Sequence, residues 1–236
     1  MPFITIAKIE YIWTATKIKK EYIINRSKPG NRIPFQQTPS LADDCKQAEH
    51  DDYKYFNKKD HILNRGHLIA ASYGRESREH FLNIFHYVNT VPQYATFNSP
   101  VWSEQGEQRL IEWASKQCTG KNNGRTDLYI VVGTIPSQNK FYGKGNDRKS
   151  YGTEKDTCIS ENQDDTYYRI NVPEYMWTAA CCENKVINKM VSFAFYGENK
   201  EYGTDTDKKL VVNAVVVKAW LGSYDIKPFP GTTCFN

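Results

Sequence analysis

Six cysteines, Cys45, Cys118, Cys158, Cys181, Cys182 and Cys234, are spread over a chain of 236 residues and constrain its fold more than any other feature. An even number at wide spacing suits a secreted, disulfide-bonded protein, and sequence alone does not choose among the possible pairings. The adjacent Cys181 and Cys182 are expected to bond to two other cysteines. Six reduced thiols in a cytosolic protein remain the alternative. Zinc is the weaker reading, because no C-x₂-C pair exists and the adjacent cysteines are poorly placed to ligate one tetrahedral ion together. The triplet Asn25-Arg26-Ser27 would carry a glycan only in a secreted eukaryotic protein. The start, Met1-Pro2-Phe3-Ile4, has no basic stretch and no apolar h-region, so this chain shows no signal peptide and a secreted protein's signal would be missing from it.

The chain is long enough to bury a sizeable core as one domain over residues 1–236. Aromatic residues make up 14% of it, which argues against disorder. No apolar run approaches the roughly 18 residues of a membrane span, so no membrane partner is expected. The longest run, Leu210–Val217, is broken by Asn213. Neither a G-X-Y pattern, nor heptads, nor a longer repeat is present, which excludes collagen, coiled coil and solenoid. Lys+Arg 31 against Asp+Glu 27 gives a net charge of +4, which allows an anionic partner without demanding one.

Local patterning predicts an α+β domain. Residues 3–16 are rich in Ile, Thr and aromatics and read as strand. Residues 25–60 read as loops, and 61–72 as a short apolar segment interrupted by Arg65-Gly66-His67. Residues 103–117 read as a helix capped by Ser103, with Leu110, Ile111 and Ala114 on one stripe. Residues 127–133 read as a buried strand, 137–166 as a long polar insert, and 167–177 and 190–197 as strands. Residues 206–221 fit a helix capped by Thr206 and stopped at Gly222, although their valines also suit a strand.

The chemistry-bearing stretch is 61–113. It holds Asn64-Arg65-Gly66-His67, then Asn89-Thr90-Val91-Pro92-Gln93, then Phe97-Asn98-Ser99-Pro100-Val101-Trp102 and a segment with Glu107. A histidine takes a proton from water near neutral pH. Arginine grips phosphate as a planar fork, and glycine lets a substrate come close. Asparagine offers a neutral oxygen that suits Mg²⁺, which keeps several waters and takes phosphate oxygens besides. Together these groups suit metal-assisted phosphodiester hydrolysis. His50, His61, His80 and His86 read as surface or structural residues, with His61 near enough in sequence to line the cleft. Trp102 and Trp113 read as core. Lys17, Lys19 and Lys20 read as a solvated strand face, or with Lys140–Lys149 as part of a phosphate track.

The strings NRGHLIAAS, NTVPQ and FNSPVWSEQGEQ resemble the signature of the DNA/RNA non-specific endonucleases, the ββα-metal or His-Me finger family. That signature runs Asp-Arg-Gly-His, then Asn-x-x-Pro-Gln, then a metal-binding asparagine and a glutamate on the next helix. Nine residues separate Asn89 from Asn98, as in the family. The segments GTIPS, RINVPEYMWTAACC, SFAFYGEN and FPGTTC are similar to its secreted, cysteine-containing endonuclease-domain branch. The likeness runs from about residue 10 to 234.

The resemblance implies a mostly antiparallel central sheet flanked by helices. It implies that His67 is the general base and that Asn98 is the one direct protein ligand to Mg²⁺, with Mn²⁺ as a substitute. By the same resemblance Arg65 and Arg32 contact phosphate, Arg32 through the looser match RIPFQQTPSL. Asn89 and Gln93 support the site from behind, and Glu107 holds a metal-bound water. DNA and RNA are the implied substrates. The oligomeric state is left open.

Two positions depart from the pattern. Asn64 stands where the family has an acid. Gly106 stands where it has the glutamate, which leaves Glu107 one residue later and Glu104 two residues earlier. Two rivals to an active nuclease therefore stay in view: a weak or inactive nuclease fold kept as a binding module for nucleic acid or protein, and a disulfide-rich structural domain.

Overall fold

The structure, a computed structural model, describes residues 12–23, 33–39, 63–73, 76–122, 124–138, 141–143, 169–203 and 210–235. Its centre is built by three long apolar strands, β4 (Leu128–Ile135), β7 (Tyr175–Asn184) and β8 (Lys189–Glu198). Branched and aromatic residues favour the pleated backbone, and alternation sends successive side chains to opposite faces. β7 pairs antiparallel with β4, Leu128 opposite Cys182, and with β8, Asn184 opposite Lys189. The Asn184 side chain closes the β7–β8 turn by accepting from the Val186 and Ile187 amides at 3.1 and 3.3 Å. β1 (Trp13–Ile18) and the short β9 (Val211–Val212) complete a five-stranded antiparallel sheet in the order β1-β4-β7-β8-β9.

Both faces of this sheet are covered. Leu128, Ile130, Met176, Ala180 and Phe195 pack on one side against Phe97, Trp102, Leu110 and Ala114. On the other side, Val131, Trp177, Ala179 and Ala194 meet Val217, Leu221 and Phe235. One disulfide secures each layer. Cys182 bonds to Cys118 at the end of helix α2 (Arg109–Gln117), and Cys181 bonds to Cys234 in the C-terminal tail. The adjacent cysteines thus take two different partners, as expected. Cys45, Cys158 and Asn25 lie outside the described residues.

A second, two-stranded sheet sits on the α2 side. β2 (Leu63–His67) pairs antiparallel with β3 (Thr90–Tyr94), with Leu63 opposite Tyr94 and His67 opposite Thr90. Between them lies the short helix α1 (Arg78–Ile84), whose Ser77 cap accepts from the His80 amide at 3.0 Å. After β3 the chain enters a helical stretch in wide turns, Phe97–Gln108, which runs directly into α2. Two strands and a helix in this order make the ββα unit that the resemblance implies.

Several sequence expectations need correction. Ser103 does not cap the helix, because the turns already begin at Phe97 and Ser103 lies inside them. The break falls at Ser99, extended at φ −147° and ψ 124°, since a residue before proline is pushed out of the helical region. The final helix, α3, spans Ala214–Gly222 and is capped by Asn213, which accepts from the Val215 and Val216 amides at 3.0 and 3.2 Å. Val211 and Val212, placed in that helix by one reading of the sequence, form β9, and Thr206 lies outside the described residues. The strand expected over 167–177 divides into β6 (Arg169–Asn171) and β7, separated by Val172-Pro173-Glu174. β6 pairs with β5 (Phe141–Gly143), which falls within the insert expected over 137–166.

Candidate active site

Arg65-Gly66-His67, which looked like an interruption of an apolar segment, forms the C-terminal part of strand β2. Alternation places Arg65 and His67 on one face of the hairpin, with Asn64 and Gly66 on the other. The Gly66 face packs against buried Gln93, and a Cβ at Gly66 would run into the Gln93 side chain. Glycine at 66 is therefore required by packing. Gln93 donates from Nε2 to the Met176 sulfur at 2.7 Å, which joins the hairpin to β7, while its Oε1 is buried without a hydrogen bond.

The other face carries the candidate chemistry. The His67 ring lies 5.0 Å from Phe35, tilted, and 5.0 Å from Phe85, edge-on. Its Nε2 is buried without a hydrogen bond among the described residues. This apolar enclosure disfavours the imidazolium, so burial lowers the His67 pKa to about 4. The Arg65 guanidinium carbon lies 5.4 Å from the centroid of the same Phe35 ring. Phe35 arrives on the segment 33–39, which is tied to 85–87 by two backbone hydrogen bonds, Gln36 N to Phe85 O at 3.0 Å and Tyr87 N to Gln36 O at 3.1 Å. Sequence reasoning missed Phe35 and Phe85. Their contacts with the motif are long-range, and no local spacing signals them.

Asn89 fixes the chain just beyond His67. Its side chain accepts from the Ile69 amide at 2.9 Å and donates to the Ile69 and Ile84 carbonyls at 3.0 Å each. Asn199, also unforeseen, is almost fully buried at the end of β8. It accepts from the Tyr94 amide at 3.0 Å and donates to the carbonyls of Pro92 and Pro173 at 3.0 and 2.9 Å. β3 is thereby held from both flanks of Gln93.

The helical stretch after β3 brings Asn98 and Glu107. Asn98 is half-buried and takes no hydrogen bond among the described residues. Gly106 is buried against Phe195, where a Cβ would collide with the ring. A side chain at 106 would point into the core, and Glu107 is the next position around the helix. Glu104 is exposed, whereas desolvation raises the Glu107 pKa to about 8. The buried Trp102 indole N–H, which makes no hydrogen bond of normal geometry, counters part of that shift. Tyr73, six residues past His67, donates to the Glu107 carbonyl at 3.3 Å and links the two halves of the unit.

An asparagine oxygen and a desolvated carboxyl with no described cation beside it fit a hard, water-bearing divalent ion. Among the described residues no group of three His, Cys, Asp or Glu side chains converges. Asn64 lies opposite Gln93 on the supporting face. Arg32 and His61 lie outside the described residues. Lys17 and Lys19 pair with Asp127 and Glu76 at 3.3 and 3.0 Å. His80 and His86 lie against Thr16 and Thr38 at 3.5 and 2.9 Å. An apolar cavity of about 750 Å³, lined by Lys17, Tyr129, Val131, Met190 and Phe229, lies apart from the hairpin beside the C-terminal tail.

Comparison with known proteins identifies the family and the fold. The profile of the DNA/RNA non-specific endonucleases matches residues 10–220. The chain belongs to this family. A chain in the crystal structure of the EndoG/EndoGI complex, solved to explain EndoG inhibition, shares its fold with a TM-score of 0.56 and 21% identity, over 89% of this chain and 76% of that one. No curated protein matches the chain significantly. The family endonuclease fold thus accounts for the ββα unit laid on an antiparallel sheet.

Proposed function

We propose that this endonuclease-family chain is a secreted, metal-dependent enzyme, one domain over residues 1–236, that hydrolyses phosphodiester bonds in both DNA and RNA. The observation that carries this reading is that His67 and Arg65 leave one face of the β2–β3 hairpin, in a chain whose next helical stretch bears Asn98 and Glu107. His67 is uncharged at neutral pH and takes the proton of the attacking water as its oxygen bonds to phosphorus. Arg65, and Arg32 by family resemblance, hold the phosphate oxygens. The P–O bond to the leaving oxygen then breaks, and that oxygen takes up a proton from solvent. Asn98 would be the direct protein ligand to Mg²⁺, with Mn²⁺ as a substitute, and Glu107 would orient a water. The ion, when bound, supplies charge stabilisation at the pentavalent phosphorus and the leaving oxygen. Asn89, Gln93 and Asn64 hold the hairpin from behind. Contacts to phosphate rather than to bases make both nucleic acids substrates, and the two disulfides support an extracellular setting.

The test is digestion of supercoiled plasmid and total RNA with Mg²⁺, with Mn²⁺ and with EDTA, using His67→Ala in parallel. Metal-dependent loss of both substrates, absent in the folded variant, is expected. Equal cleavage by the variant, or no cleavage by a folded and oxidised wild type, overturns the reading. Asn98→Ala is expected to weaken Mg²⁺ binding in calorimetry together with activity.

A further inference from the structure

We propose that Phe35 is a positioning residue that sets both the orientation of the Arg65 guanidinium and the apolar enclosure of the His67 imidazole. The inference deepens the proposed function and rests on its assignment of these two groups. The geometry is specific. Arg65 and His67 are two residues apart on β2, so their side chains leave the same face, and both meet the same ring. Arg65 stands at 5.4 Å from the Phe35 centroid and His67 at 5.0 Å. A guanidinium near an aromatic ring gains cation–π attraction and loses rotamer freedom. The imidazole lies against the same ring with Phe85 at its edge, and its Nε2 is buried.

Phe35 is itself held in place. Its rings partners are Phe85 at 5.5 Å and Tyr87 at 5.8 Å, and the two backbone bonds from Gln36 fix its segment. The Thr38 hydroxyl meets His86 Nδ1 at 2.9 Å and anchors the far end. The side chain therefore acts as a fixed wall between a base and a phosphate-binding cation.

The described surroundings of His67 are mostly uncharged. Arg65 neighbours it on β2, Thr90 is its partner on β3, and Phe35 and Phe85 flank its ring. His86 follows Phe85 and is occupied with Thr38. No carboxylate pairs with His67 among the described residues, and burial is the cause of its lowered pKa. Removal of the wall should therefore act on His67 through hydration, and the released Arg65 is the neighbouring cation on β2 that becomes free to move.

The experiment compares wild type with Phe35→Ala, Phe35→Leu and Phe35→Tyr in the full, oxidised chain. The first readout is the NMR titration of the His67 imidazole, which requires no turnover. Phe35→Ala is expected to move its midpoint from about 4 toward the ordinary 6.5, while Phe35→Tyr stays near wild type. Phe35→Leu keeps an apolar wall but loses the π face. It is expected to leave the His67 midpoint low and to raise KM for plasmid several-fold with little change in kcat, because Arg65 loses its platform. Should Phe35→Ala fail to fold, the split between Leu and Tyr still decides. An unchanged His67 midpoint in folded Phe35→Ala overturns the proposal, as does equal KM in Phe35→Leu and wild type. If wild type cleaves nothing, the nuclease reading fails, while the titration still tests the wall.

Discussion

At the residue scale, the enclosure of His67 links pH to stability. Its pKa falls from 6.5 to about 4 on folding, so the unfolded chain binds the extra proton between those values. Stability contributed by the neutral imidazole is present above about pH 6.5 and is lost as pH falls toward about 4. The full effect is about 3 kcal/mol. Urea unfolding should show wild type losing about that much more than His67→Ala across the same window, and equal slopes would contradict it. Gly66→Ala tests the other face of the hairpin. The added methyl runs into a fully buried Gln93, so a loss of about 1–3 kcal/mol is expected in denaturant unfolding, with reduced cleavage as His67 is displaced.

At the element scale, side chains from distant strands hold the site. Asn199→Ala strands the Tyr94 amide and the Pro92 and Pro173 carbonyls together. A cost of about 3 kcal/mol is expected by thermal or chemical unfolding, and a shift within error would show that water replaces the side chain. The sequence revealed β4, β8 and most of α2, because apolar runs and the Leu110–Ala114 stripe are local signals, but it read only the first residues of β7. It also singled out Arg65 and His67, which leave one face of the hairpin, and Gln93, which packs on the opposite face against Gly66. It did not reveal the helix start at Phe97, because Asn98-Ser99-Pro100 reads locally as a turn while Phe97 and Trp102 are drawn into the core. Phe35 and Asn199 were invisible for a related reason. Each works through partners about 30 or 105 residues away, and no period in the chain encodes such distances.

At the scale of the whole molecule, a net charge of +4 supplies little long-range attraction for nucleic acid, so binding must rely on a few local contacts. The slope of log K against log salt should be shallow and should fall by about 1 in Arg65→Ala if that residue neutralises one phosphate. An unaltered slope would place Arg65 away from the backbone. The disulfides close sequence separations of 64 and 53 residues, for which chain entropy predicts about 4 kcal/mol each. The double variant Cys181→Ala, Cys234→Ala should unfold that much more readily while keeping the Cys118–Cys182 layer, as followed by circular dichroism. The adjacent cysteines of β7 have one more consequence. Because neighbours on a strand face opposite ways, a slip of one residue against β4 or β8 would exchange the two faces and present each sulfur to the wrong partner. Native oxidation therefore requires the central sheet to be in its proper frame, and stepwise reduction and alkylation, followed by fragmentation between Cys181 and Cys182, would read which sulfur each partner holds.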